Sequence, residues 1–187
     1  MEQSQQKMCY ANSLTNIYEI YISGDITEPE NYIEQLALLR SAGANDVVKI
    51  YINSTGGILD TAIQFRKAIQ ESEAHIIASN ESACASAATI IFLSADEFEL
   101  AKHSFMMIHD YSSGTYGKGS DMHNQIIFQK LWFASLVKDV YNVFLTDEEI
   151  ESVINGREIW LDSDEIAHRC TAIIHKWDEL SNQTEEE

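Results

Sequence analysis

The chain has 187 residues, 45% of them hydrophobic, and carries 12 Lys and Arg against 30 Asp and Glu, a formal charge of −18. That length suits one domain with a sizeable core, and that charge argues against nucleic acid or an anionic membrane as a partner, because both would be repelled. The apolar run Ala83–Leu93 is too short to cross a bilayer, Met1–Met8 is too polar for a signal peptide, and three cysteines without a CxxC suit a reducing, cytoplasmic compartment better than a disulfide framework.

In chain order, Ile17–Ile22 alternates as a strand and turns at Ser23–Asp25. Thr27, Pro29 and Glu30 predict a capping box and a helix that runs to Ala42 and stops at Gly43. Val47–Asn53 is a strand dense in β-branched residues, followed by Gly56-Gly57 and a helix over Leu59–Gln70. Ala74–Ser79 is a short apolar strand, Ala83–Leu93 a buried helix and Phe105–Ile108 a strand. A Gly/Ser stretch then leads into a long amphipathic helix, Asp121–Phe144. Thr146 with Glu149 predicts a second capping box, and Asp162 with Glu165 a third. Strands alternate with helices and no linker divides the sequence, so residues 1–187 are read as one α/β domain with a largely parallel sheet.

Four segments could carry chemistry. Asn53-Ser54-Thr55-Gly56-Gly57 ends a strand where glycines let backbone amides approach a ligand, though an ordinary turn would look the same. Ser86 sits among small residues at a helix start, where free N–H groups could receive an oxyanion; the plain alternative is a tightly packed helix. Cys84 competes as nucleophile but reads better as a small buried thiol. His109 closes an apolar strand at the rim of the sheet, the position of a catalytic base or of a hydrogen-bonded core residue. Ser112–Gly119 is a flexible loop or an edge that pairs with a peptide backbone. Its Lys118 does not have phosphate-loop spacing, and no histidine pair has the spacing of a zinc helix, so no metal and no cofactor are expected.

In this order the segments resemble the proteolytic subunit of the ATP-dependent Clp protease, over roughly residues 17–174. The matching pieces are the glycine turn at Asn53–Gly57, Ser86, Met107-Ile108-His109, the Gly/Ser stretch with its long helix, and Gly156-Arg157-Glu158. The resemblance implies a crotonase-like spiral of βαβ units with a protruding helix-plus-strand handle over 110–145, an N-terminal segment over 1–16 and an acidic tail over 176–187. It implies a serine endopeptidase with Ser86 as nucleophile, His109 as base and Glu158 as the orienting acid. Gly57 and Ala87 would form the oxyanion hole, and Ile58, Ser112, Ser113 and Gly114 would bind substrate. It further implies homo-oligomeric heptameric rings, stacked as a tetradecamer, that receive unfolded polypeptide from an AAA+ unfoldase.

The sequence departs from the family pattern at several places. Thr55 replaces a proline, Ala87-Ala88 stand for Met-Gly, Asp110-Tyr111 replace Gln-Pro, and Glu158 replaces the usual aspartate. Lys49 replaces an aromatic residue of the strand that docks the unfoldase, whereas Tyr51 keeps one. Such divergence suits a bacteriophage or accessory member. The alternative reading is a catalytically inactive Clp-like subunit that assembles with and modulates an active protease. A crotonase-type enzyme acting on acyl-CoA would leave Ser86 and His109 unexplained.

Overall fold

The structure is a computed structural model that describes residues 15–184, with side chains described as far as residue 175. Its sheet has six strands: β1 (Ile17–Ile26), β2 (Val47–Gly57), β3 (His75–Ala85), β4 (Glu97–Leu100), β5 (Phe105–Ile108) and β6 (Ile159–Asp162). The order is β1-β2-β3-β5-β6, with β4 pairing the first half of the β3 edge that β5 takes over further along. All pairings are parallel except β5 with β6. This is the parallel-rich α/β architecture that the sequence predicts.

The helices are α1 (Ile33–Ser41), α2 (Leu59–Gln70), α3 (Ala87–Phe92), α4 (Gly119–Tyr141), α5 (Asp147–Ile154) and α6 (Ser163–Thr184). Alternation in β1 and β2 sends Ile20, Ile22, Val48, Ile50 and Ile52 into one core with Phe65 of α2 and Ile91 of α3. The opposite face carries Tyr21 stacked on Tyr51 at 4.8 Å, and Lys49 paired with Glu99 at 2.6 Å.

Several local expectations change. The Thr27 capping box does not form: Thr27 Oγ1 accepts from Asn31 Nδ2 at 2.9 Å, and a 3₁₀ turn over Pro29–Tyr32 precedes α1. The expected helix from Ala83 begins only at Ala87, because β3 runs on through Ala85, with Cys84 paired to Ser54 on one side and Met106 on the other. Pairing on both edges outweighs the helix preference of alanine, since strand formation answers to packing context more than to intrinsic propensity. Residues 1–14 and 185–187, with Cys9 and the end of the acidic tail, lie outside the described residues; α6 continues to Thr184 through most of the segment expected to be tail.

The second capping box does form: Glu149 N–H donates to Thr146 Oγ1 at 3.2 Å, and Thr146 N–H to Glu149 Oε2 at 2.9 Å. At the third, Asp162 Oδ1 accepts the Glu165 N–H at 2.9 Å, but the Glu165 carboxylate turns to Arg169. Arg169 also donates to both Glu149 oxygens, at 2.7 and 2.9 Å, which ties α5 to α6. That bidentate guanidinium contact holds the Glu149 carboxyl below its ordinary range.

Candidate active site

The site is assembled where β2, β3 and β5 end. Ser86 occupies the single residue between β3 and α3, with φ 54° and ψ −128°, a conformation that non-glycine residues rarely adopt. Strain of this kind costs about 1–3 kcal/mol and persists only where the surroundings dictate it. Here they do. Ser86 N–H donates to Met107 O at 2.8 Å, while Ser86 O accepts from Thr89 N–H at 3.0 Å and from Thr89 Oγ1 at 2.7 Å. Thr89 Oγ1 in turn lies 2.6 Å from the Tyr141 hydroxyl of α4, both fully inside the core.

The glycine turn presses on the same spot. Ser54, buried, accepts the Gly56 N–H at 3.0 Å. A Cβ on Gly56 would come within 2.6 Å of the Ser86 Cβ and 2.7 Å of Ala85 O, so only glycine lets the two turns meet. Gly57 has φ +146°, and a Cβ there would drive into Ile26 O. The Ile58 N–H is spent on Ile26 O at 2.8 Å.

Across this turn, His109 Nε2 lies 2.8 Å from Ser86 Oγ, both side chains half-buried. The pair opens into a cavity of about 660 Å³ lined by Gly57, Ile58, Ala87, Ile90, Ser112, Ser113, Leu136 and Val137 among others. Of the sequence-predicted residues, Ser86, His109, Gly57, Ala87, Ile58, Ser112 and Ser113 gather around this space, while Gly114 and Glu158 do not line it. Ser112 and Ser113 form no strand; Ser113 Oγ donates to Gln129 Oε1 of α4 at 3.1 Å. Cys84 does not reach the space. It is fully buried, and burial pushes its thiol far above the ordinary range, which removes it as a nucleophile. Burial likewise pushes Cys170 up to about 12.

Glu158 is not in hydrogen-bond contact with His109. The β5–β6 ladder ends with Ile108 paired to Ile159, and His109 and Glu158 are the next residues beyond that end. The Glu158 carboxylate nevertheless turns along its own strand, where Oε2 accepts from Trp160 Nε1 at 3.0 Å. Among the described residues no carboxylate bonds to the imidazole: Asp110 Oδ1 accepts the Tyr111 N–H, and Asp162 caps α6. Among them, too, no group of three or more His, Cys, Asp or Glu is placed to hold a metal, and no helix is long and apolar enough to cross a membrane. The supporting contacts of Thr89, Tyr141 and Trp160 escaped the sequence reading. Thr89 and Tyr141 stand 52 positions apart, with no local pattern linking them.

A serine hydroxyl against an imidazole, at a strained strand-to-helix turn beside free helix amides, is the arrangement that serine hydrolases use for acyl transfer. The Clp protease family model matches residues 2–168, and the chain belongs to that family. It is 28% identical over 139 residues to the ATP-dependent Clp protease proteolytic subunit 1 of Salinibacter ruber, a stretch covering 71% of this chain and 58% of that relative. It is 27% identical over 154 residues to the proteolytic subunit 2 of Treponema denticola, covering 80% of this chain and 77% of the relative.

Proposed function

We propose that this chain is a serine endopeptidase that cleaves unfolded polypeptide, with Ser86 as nucleophile and His109 as general base. The observation that carries this reading is the 2.8 Å approach of His109 Nε2 to Ser86 Oγ at a backbone conformation held in place by both neighbouring turns. In the reaction, Oγ attacks the scissile carbonyl as its proton passes to Nε2. The imidazolium then protonates the leaving amine, and water repeats the sequence on the acyl-enzyme. The N–H groups of Gly57 and Ala87 receive the oxyanion; a single such donor is worth roughly 3 kcal/mol in the transition state. Ala87 is the first residue of α3, whose N–H has no intrahelical acceptor. Ile58 and the apolar wall of Ile90, Leu136 and Val137 take a substrate side chain, and Ser112–Gly114 pairs with its backbone. Fluorophosphonate labelling tests the reading directly: an activated Ser86 forms an adduct, and a chain that stays unlabelled at any pH is not a serine hydrolase.

Glu158 completes the machinery by leaving Trp160 and accepting the His109 Nδ1–H; support for this is that the two residues follow directly on the last pair of the β5–β6 ladder, Ile108 with Ile159. If it serves as the orienting acid, Glu158→Gln retains the fold and lowers kcat strongly; the equivalent amide substitution in a Ser-His-Asp enzyme costs about 10⁴-fold. Steady-state peptide hydrolysis checks this, and an unchanged rate removes Glu158 from the reaction. The bond to Trp160 is also the observation that favours the second reading, a non-catalytic subunit of a Clp assembly. In that case neither Ser86 nor Glu158 affects turnover by the partner's sites.

The chain works as one domain within a homo-oligomeric ring, fed by an AAA+ unfoldase. On α4, Phe128 is 66% exposed and Leu131 68%, with Ile126 and Ile127 beside them, more apolar surface than a solvated helix carries. Light scattering at micromolar concentration should give a mass several times 21.2 kDa, the fraction assembled rising with salt as the charge of −18 is screened. A 21.2 kDa particle under all these conditions defeats the ring. The unfoldase would meet the Tyr21–Tyr51 face, where the Lys49–Glu99 pair makes a usually aromatic surface polar.

A further inference from the structure

Three side chains on one face of the β5–β6 ribbon compete for the same hydrogen bonds. Antiparallel pairing sets Met107 against Trp160 and ends with Ile108 against Ile159; continued by one residue beyond the ladder, the same register would bring His109 and Glu158 together on the face of Met107 and Trp160. Opposed residues in such a ladder have Cβ atoms about 4.5–5.5 Å apart, within reach of a glutamate and an imidazole. Residues two apart on one strand also share that face, and Trp160 is two residues from Glu158. On that continued register the carboxylate would have two N–H donors to choose from, the imidazole across the ribbon and the indole along it. The indole holds it, at 3.0 Å. The Trp160 ring is itself held, stacked on Phe105 with centroids 5.9 Å apart and planes inclined by 29°. No hydrogen bond reaches His109 Nδ1 from the described residues.

We propose that Trp160 is a positioning residue that holds the Glu158 carboxylate away from His109, so that breaking the indole–carboxylate bond completes the Ser86–His109–Glu158 relay and speeds acylation of Ser86. This rests on the serine-hydrolase reading above and adds what governs its third member. Glutamate makes the competition possible: its extra methylene, relative to aspartate, lets the carboxylate lie along the strand as well as across it. Trp160 is 60% exposed, so its contact with Glu158 lies where a bound substrate or an adjoining subunit can displace it. Asp110 and Asp162 each accept a backbone N–H of their own segment, and neither bonds the imidazole.

The experiment compares second-order rates of fluorophosphonate labelling for the full chain and its variants. Trp160→Phe removes the donor and keeps the ring on Phe105, so the fold survives. It should label about fivefold faster than the parent, the weight of one exposed hydrogen bond to a charged group. The gain should vanish when Glu158→Gln is added, leaving the double variant equal to Glu158→Gln alone. An activity-independent readout is the Trp160 indole N–H resonance in ¹⁵N-labelled protein, identified by its loss in Trp160→Phe. It should move on Glu158→Ala and stay put on Ser86→Ala. An unchanged labelling rate in Trp160→Phe overturns the proposal, as does a gain that persists without Glu158. If neither parent nor variant labels, the hydrolase reading itself falls and takes this proposal with it; an indole resonance that still responds to Glu158→Ala identifies that as the failure.

Discussion

Ser86→Ala should abolish both peptide hydrolysis and the fluorophosphonate adduct, with kcat falling by about 10⁶-fold, the loss recorded when a serine protease is deprived of its nucleophile. The fold should be almost unaffected. The substitution removes one hydroxyl, and the backbone bonds that fix the turn, Ser86 N–H to Met107 O and Thr89 N–H to Ser86 O, remain. The unusual φ of 54° also remains, because alanine meets the same steric limits there. Ser86→Gly separates the two effects: it loses activity equally but relieves the backbone, for a gain of about 1 kcal/mol. A urea titration alongside the kinetics reads both. Turnover near the parent level in Ser86→Ala would sink the mechanism, and Cys84 offers no rescue, since it is buried and held as the thiol.

Gly57→Ala should cost more stability than alanine at any other glycine of the chain, at least about 3 kcal/mol, by clash and strain together. The added Cβ would run into Ile26 O and lie 2.8 Å from Ile26 N, both backbone atoms of the paired strand β1, which cannot step aside without breaking the ladder. The backbone there, φ +146°, already excludes most side chains. Gly24→Ala is the control: its φ of +77° carries strain of about 1 kcal/mol, but nothing lies within 4 Å of the added methyl. Comparison of the two urea midpoints isolates the clash. Equal losses would mean that β1 and β2 adjust at Ile26–Gly57, and that the tightness of this turn is not what fixes the Gly57 amide.

Much of this architecture was legible from local signals. The helix Leu59–Gln70 and the strand Phe105–Ile108 stand at the positions their periodicity predicts, and the Thr146–Glu149 box forms because all its partners lie within one turn. Residue types in order were also enough to single out Ser86, His109 and the glycine turn. What failed depended on neighbours distant in sequence. Strand β4 was missed, since Glu97–Leu100 is too short and too charged to announce itself and exists by pairing with β3. Ala83–Ala85 looked helical and became strand because Ser54 and Met106 pair with it from either side. Thr27 had a capping partner at the right spacing and bonded Asn31 instead.

The same division runs through the site. Sequence by itself determined that a serine, a histidine and a glutamate with chemistry suited to acyl transfer are present, because that is a property of side chains. It could not determine which of them touch. Ser86 and His109 are 23 positions apart and meet at 2.8 Å only because β3 and β5 lie side by side in parallel register. Glu158 lies 49 positions beyond His109, and antiparallel pairing of β6 with β5 brings the two to the same end of the ladder, just past Ile108 and Ile159. Its carboxylate bonds the indole of Trp160, a contact that only the tertiary structure shows.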